Sequence, residues 1–252
     1  MVSFDPASKG LAEVVDDHNW RGVMKPVVLF GKGPSARKLD VSDNYVVGAV
    51  NSAFVFCDRV DYFFLQDVET LANVRAADIP KLKTAVIPAH PFEQHKQRAS
   101  LTYTSLLGGL AGIERFAVYQ NPLESDGIAP IEGLPRIDNI CSGGDAAVAW
   151  LLAEGHRDFV FVGIDPSGGH HPKVQKDSSH LAERRQFSVQ CPSCEHAFSV
   201  MVTKEHASAS PNPPEWYKLQ YQSLVSKIIR VGGTFRHLGP DEGLDNQAAR
   251  CA

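Results

Sequence analysis

The chain has 252 residues, of which 43% are apolar and 21% charged, with a net charge of −4. That is enough chain to bury a core, and too apolar for intrinsic disorder. The balance excludes a general nucleic-acid coat or a polybasic membrane binder, and no apolar run reaches the roughly 20 residues needed to span a bilayer. The first 20 residues lack the basic-then-apolar order of a signal peptide, and five cysteines do not make a disulfide scaffold, so a cytoplasmic, reducing setting is expected.

Apolar runs recur along the chain, each closed by small or polar residues. Pro26–Phe30 reads as a first strand, stopping at Gly31, and Asn44–Val50, Val60–Leu65, Thr84–Pro88 and Phe116–Tyr119 read as four more. Asp158–Ile164 is a sixth and Gly233–Leu238 the last. Two helices interrupt the series. Gly144–Gly155 spaces Ala147, Trp150 and Leu151 helically, and Pro214–Val231 sets Trp216, Leu219, Leu224, Ile228 and Val231 on one stripe. Strands with helices between them predict an α/β protein: one Rossmann-like parallel sheet with helices on both faces and an inserted lid. The expected divisions are an N-terminal segment (1–25), a nucleotide-binding core (26–165), the lid (166–213), a closing helix and strand (214–240) and a tail (241–252).

Polar groups gather where the strands end. Gly31-Lys32-Gly33-Pro34-Ser35 follows the first strand, Asn51-Ser52 the second and Gln66-Asp67 the third. Open parallel sheets bind ligands beyond the carboxyl ends of their strands. Glycines in the first turn let backbone N–H groups approach an anion, and Lys32 adds a point charge. The turn is neither the phosphate loop of nucleoside triphosphatases nor the complete dinucleotide fingerprint, because the spacing and the third glycine are missing. Asn51 and Gln66 suit hydrogen bonds to a base or ribose, and Asp67 suits a ribose or a metal; each is equally a residue type of turns and helix caps.

Continued along the chain, this order adds Cys141-Ser142-Gly143-Gly144 at the start of a helix and Gly163-Ile164-Asp165 after the sixth strand. The series resembles the bacterial sialyltransferases that use CMP-sialic acid. It is similar also to the related motility-associated factor glycosyltransferases and 6-hydroxymethylpterin pyrophosphokinase-like proteins. The resemblance runs from Val27 to Leu238, with a poor match over Lys81–Pro130 and in the insertion. It implies a nucleotide-sugar donor, a CMP-nonulosonate in the sialyltransferases themselves, and a histidine general base. Lys32 stands where those enzymes carry an asparagine beside the donor phosphate. Asn51 and Ser142-Gly143 match donor-site positions, and Gln66 or Asp67 replaces a further asparagine. His170-His171 occupy the stretch of the phosphate-contacting tyrosines, and His206, ahead of the last long helix, matches the catalytic base. The scheme implied needs no catalytic metal.

Three other readings stay open on the residues. A pterin pyrophosphokinase would use ATP and magnesium, with Asp67 and Asp165 as metal ligands. A nucleotide- or nucleic-acid-binding module would have no turnover. A transferase could also act on a modified nucleic-acid base; otherwise the acceptor is a glycan or a protein. Cys191-Pro192-Ser193-Cys194, flanked by two β-like runs, looks like half a zinc ribbon, with His196, His180, His206 or Cys141 to complete a structural site. A plain thiol pair is the equal alternative. His90, Arg136 and Arg184-Arg185 are further anion-contact candidates and equally ordinary solvated residues.

Overall fold

The computed structural model describes residues 24–66, 74–88, 110–120, 132–137, 140, 142–166, 171, 185–190, 197–202, 214–239 and 244. Seven of its strands form one parallel sheet: β1 (Val27–Phe30), β2 (Val46–Val50), β3 (Val60–Phe64), β4 (Leu82–Pro88), β5 (Arg115–Tyr119), β6 (Asp158–Val162) and β9 (Thr234–His237). Their order is β5-β4-β3-β2-β1-β6-β9. The chain builds outward from β1 to β5, then returns to lay β6 on the free side of β1, in register from Val27↔Phe159 to Phe30↔Val162. Strand order therefore reverses between β1 and β6. All seven expected strands are present, with ends moved by one or two residues.

Among the described residues two α-helices flank the sheet, α1 (Gly143–Ala153) and α2 (Pro214–Arg230). Strand residues alternate between two buried layers. Val27, Leu29, Phe159 and Phe161 face α1 and α2, packing on Ala147, Leu151, Leu224 and Ile228. Val28, Phe30, Val160 and Val162 face the opposite layer with Phe54, Leu110 and Leu238. Among the described residues that second face is covered by 3-10 helices, Asn51–Phe56 and Ala76–Lys81, rather than by α-helices. Each buried Phe or Leu contributes about 1.5–3 kcal/mol of transfer free energy, which is why near-continuous apolar strands seek two covered faces.

The α2 stripe differs from the expected one. Leu219 is 59% exposed and Val231 46%, whereas Leu224 and Ile228 are buried and Tyr221 and Val225 pack beside them. Leu219 lies five residues, or about 140° around the helix, from Leu224, so it cannot share that face. Val231 falls beyond the helix end. The Trp216 side chain lies outside the described residues.

The insertion contains a hairpin. β7 (Arg185–Gln190) and β8 (Ala197–Val202) pair antiparallel, from Arg185↔Val202 to Gln190↔Ala197. Positions 191–196 connect the two strands. Among the described residues, no helix is long and apolar enough to cross a membrane.

Candidate functional site

The carboxyl ends of β1 and β6 are laced together. The Gly31 N–H donates to the Val162 carbonyl at 2.8 Å, and the Gly33 N–H to the Gly163 carbonyl at 2.7 Å. The Ser35 N–H donates to Asp165 Oδ2 at 2.9 Å, and Ser35 Oγ accepts the Gly163 N–H at 3.0 Å. The glycines of this turn thus serve a close approach of two chains. A Cβ at residue 31 would collide with the Gly163 carbonyl, and one at residue 33 with the Asp165 carboxylate. The Gly31 and Gly33 amides, expected to face a bound anion, are already committed to the β6 turn.

Two predicted anion contacts do meet here. The His171 N–H donates to the Lys32 carbonyl at 2.8 Å, and the His171 ring packs edge-on against Phe56 with centroids 5.1 Å apart. Lys32 and His171 are both partly exposed.

Asp165 is the hub of this corner. Its side chain is only 7% exposed, and Oδ1 lies 2.9 Å from His237 Nε2. The same nitrogen is 3.4 Å from Ser35 Oγ. Burial opposes ionisation of Asp165, but hydrogen bonds from His237 and from the Ser35 hydroxyl and N–H outweigh it and hold the carboxyl below the usual range. Although Ser, His and Asp meet, this is not a nucleophile relay. One ring nitrogen serves both partners, whereas a relay uses the two nitrogens in sequence.

A second cluster adjoins the first. Asn51 holds a left-handed conformation, φ 51°, which asparagine tolerates better than most residues. Its Oδ1 accepts the Gln66 N–H at 2.9 Å, joining the ends of β2 and β3. The N-terminus of α1 rests on the pair: a Cβ at Gly143 would stand 2.8 Å from Gln66 Oε1 and 3.5 Å from Asn51 Nδ2. Ser142 caps α1, its Oγ accepting the Asp145 N–H at 3.2 Å. Ile164 bridges the two clusters, reaching both the Gly31 and the Gly144 positions.

The rim therefore gathers residues from the ends of β1, β2, β3, β6 and β9 and from the start of α1. Its accessible part differs from the expected one. Asn51 and Gln66 are 4% and 3% exposed, tucked beneath α1, so they shape the rim rather than front it. Lys32, Ser35, Ser142, His171 and His237 are among its partly exposed groups.

His237 is absent from the expected site, although the rule that selected Asn51 and Asp165 applies to it as well. It is the last residue of a strand. Arg136 is exposed and bridged to Gln120, just beyond β5. Arg185 begins β7. Asp67, His90, Cys141, His170, His180, Arg184, Cys191, Cys194, His196 and His206 lie outside the described residues.

Among the described residues no group of three His, Cys, Asp or Glu is placed to hold a metal ion. A cavity of about 370 Å³ opens elsewhere, lined by Leu39, Val41, Asp43, Val47, Cys57 and Arg59 among others, and none of the expected site residues borders it. Comparisons with protein-family models, with curated proteins and with solved structures returned no match.

Proposed function

We propose that this chain is a glycosyltransferase that takes a nucleotide-activated sugar at the carboxyl rim of its parallel sheet. The observation that carries the reading is the reversal of strand order between β1 and β6, with Lys32, His171 and the Asp165–His237 pair gathered at that point. Open α/β sheets bind ligands at such reversals, because the loops on either side diverge and leave a crevice. The distance from β2 to β9 is three strand spacings, about 14 Å. An extended nucleotide sugar covers such a span, with its phosphate over the β1 turn.

In this reaction an acceptor oxygen forms a bond to the anomeric carbon while the bond from that carbon to the phosphate oxygen breaks. The nucleotide leaves with the electron pair, and the acceptor proton passes to a base. Lys32, with His171 beside it, would face the leaving phosphate and offset its charge. The alternative of a pterin pyrophosphokinase would place magnesium on Asp165 and on Asp67, which lies outside the described residues. The Asp165 oxygens already accept from Ser35 and pair with His237, which favours the transferase reading. The CMP-nonulosonate donor, the acceptor and a structural zinc on Cys191, Cys194 and His196 belong to the same proposal as its finer parts.

The test is a thermal-shift panel of CMP-N-acetylneuraminate, UDP-glucose, GDP-mannose, ATP with magnesium, and the free nucleotides. A donor at 100 times its dissociation constant stabilises the fold by about 2.7 kcal/mol. A shift with a nucleotide sugar, together with release of its nucleotide, supports the reading. A shift with ATP and magnesium alone, or none across the panel, refutes it.

A further inference from the structure

We propose that His237, oriented by Asp165, is the general base of the transfer site, an inference that rests on the transferase reading above. The argument begins with the tautomer. His237 Nε2 has two neighbours, Asp165 Oδ1 at 2.9 Å and Ser35 Oγ at 3.4 Å. The carboxylate only accepts. Facing that carboxylate at 2.9 Å, Nε2 carries the proton of the neutral imidazole, and the lone pair lies on Nδ1. Nδ1 makes no hydrogen bond among the described residues, and the side chain is 28% exposed. A histidine held by a carboxylate through one nitrogen, with the other open to solvent, is built to take a proton there.

The groups around the ring come from three elements. Asp165 reaches the ring from the β6 turn, Ser35 from the β1 turn and Tyr221 from α2, with Tyr221 and His237 ring centroids 6.5 Å apart. Burial, with Asp165 adding to it, pushes the Tyr221 phenol above its ordinary range, so it stays neutral. The Asp165 carboxylate is therefore the net charge facing the ring from these elements. The adjoining Arg236 turns away, donating to the Leu244 carbonyl at 2.9 Å.

Position agrees with chemistry. His237 closes β9, next to β6, on the side of the strand-order reversal opposite Asn51. A donor with its nucleoside toward β2 and its phosphate over β1 brings its sugar to β6 and β9. The acceptor oxygen, or water in its absence, gives its proton to Nδ1 as it bonds to the anomeric carbon, and the nucleotide departs with the electrons of the broken bond. This places the base on β9 rather than at His206, which lies outside the described residues.

The experiment uses the full chain and whichever of the three nucleotide sugars shifts the melting curve, with nucleotide release to water as the readout. His237→Gln is expected to keep the donor-induced shift and donor KM while kcat falls by about 10²–10⁴-fold. Asp165→Asn should act similarly for a different reason. Its amide can still accept the Ser35 N–H, but its NH2 donates to Nε2 and forces the ring proton onto Nδ1. Added imidazole should restore turnover to His237→Ala, a response that a purely structural role would not give. Wild-type kcat in His237→Gln, or His237→Ala that binds donor yet gains nothing from imidazole, overturns the assignment. A wild-type protein that binds none of the three donors instead overturns the transferase reading, before any variant is made.

Discussion

Replacing Lys227 with methionine isolates the contact that seats α1 on the rim. Lys227 Nζ lies 2.6 Å from both oxygens of Asp145, whose side chain is fully buried in the first turn of α1. Ser223, one turn earlier on α2, adds longer contacts of 3.3 Å to the same carboxylate. In Lys227→Met the stem packs as before and only the ammonium is lost, leaving a buried carboxylate with weaker partners. Breaking a buried pair in this way costs about 3–5 kcal/mol. For a chain of this size each kcal/mol lowers the melting temperature by about 2–4 °C, so a fall of about 6–20 °C is expected. Urea melts give the free energy directly, and Asp145→Leu/Lys227→Met, which removes both charges, should recover most of the loss. A loss below about 1 kcal/mol in the single variant, the range of exposed pairs, would refute the reasoning. It would mean that water reaches the carboxylate and that α1 is held by apolar packing alone.

Gly33→Ala should destabilise by about 1–3 kcal/mol, because its Cβ meets the Asp165 carboxylate and stands 2.7 Å from the Gly163 carbonyl; an unchanged urea midpoint would show that the two turns part easily. A pH effect is expected at Asp61, which accepts from Lys83 at 2.6 Å, Arg59 at 2.6 Å and the Val47 N–H at 2.9 Å. Burial opposes its ionisation, but these donors prevail and lower its pKa. Its stabilising effect is therefore complete above the unfolded value of about 3.9 and disappears as pH falls through the lower folded value. Melting temperatures of Asp61→Asn should fall less steeply than wild type in that acid window. Parallel curves would contradict the assignment.

The sheet was legible in the sequence because its strands are buried on both faces. Runs such as Val27–Phe30 and Asp158–Val162 have few other stable destinations, and the glycines and polar residues that close them mark their ends. The same logic found Asn51 and Asp165 at the rim, since strand ends in a parallel sheet share one edge, whereas Ser142, at a helix start, entered through the resemblance. Periodicity was less secure on α2, where apolar residues occupy more than one face and only packing selected Leu224 and Ile228 over Leu219.

What tertiary structure alone decided is which rim residues face outward and which are already engaged. Nothing local to Gly31-Lys32-Gly33 says that its amides meet the β6 turn, because those carbonyls lie some 130 residues away and arrive only when β6 pairs with β1. Burial of Asn51 and Gln66 likewise depends on α1 landing above them. The Asp165–His237 pair spans 72 residues and exists only because β9 joins the sheet beside β6. Sequence pattern reports the free energy of burying a surface, which local residues carry. A hydrogen bond between distant loops depends on how those surfaces assemble, and that information belongs to the fold.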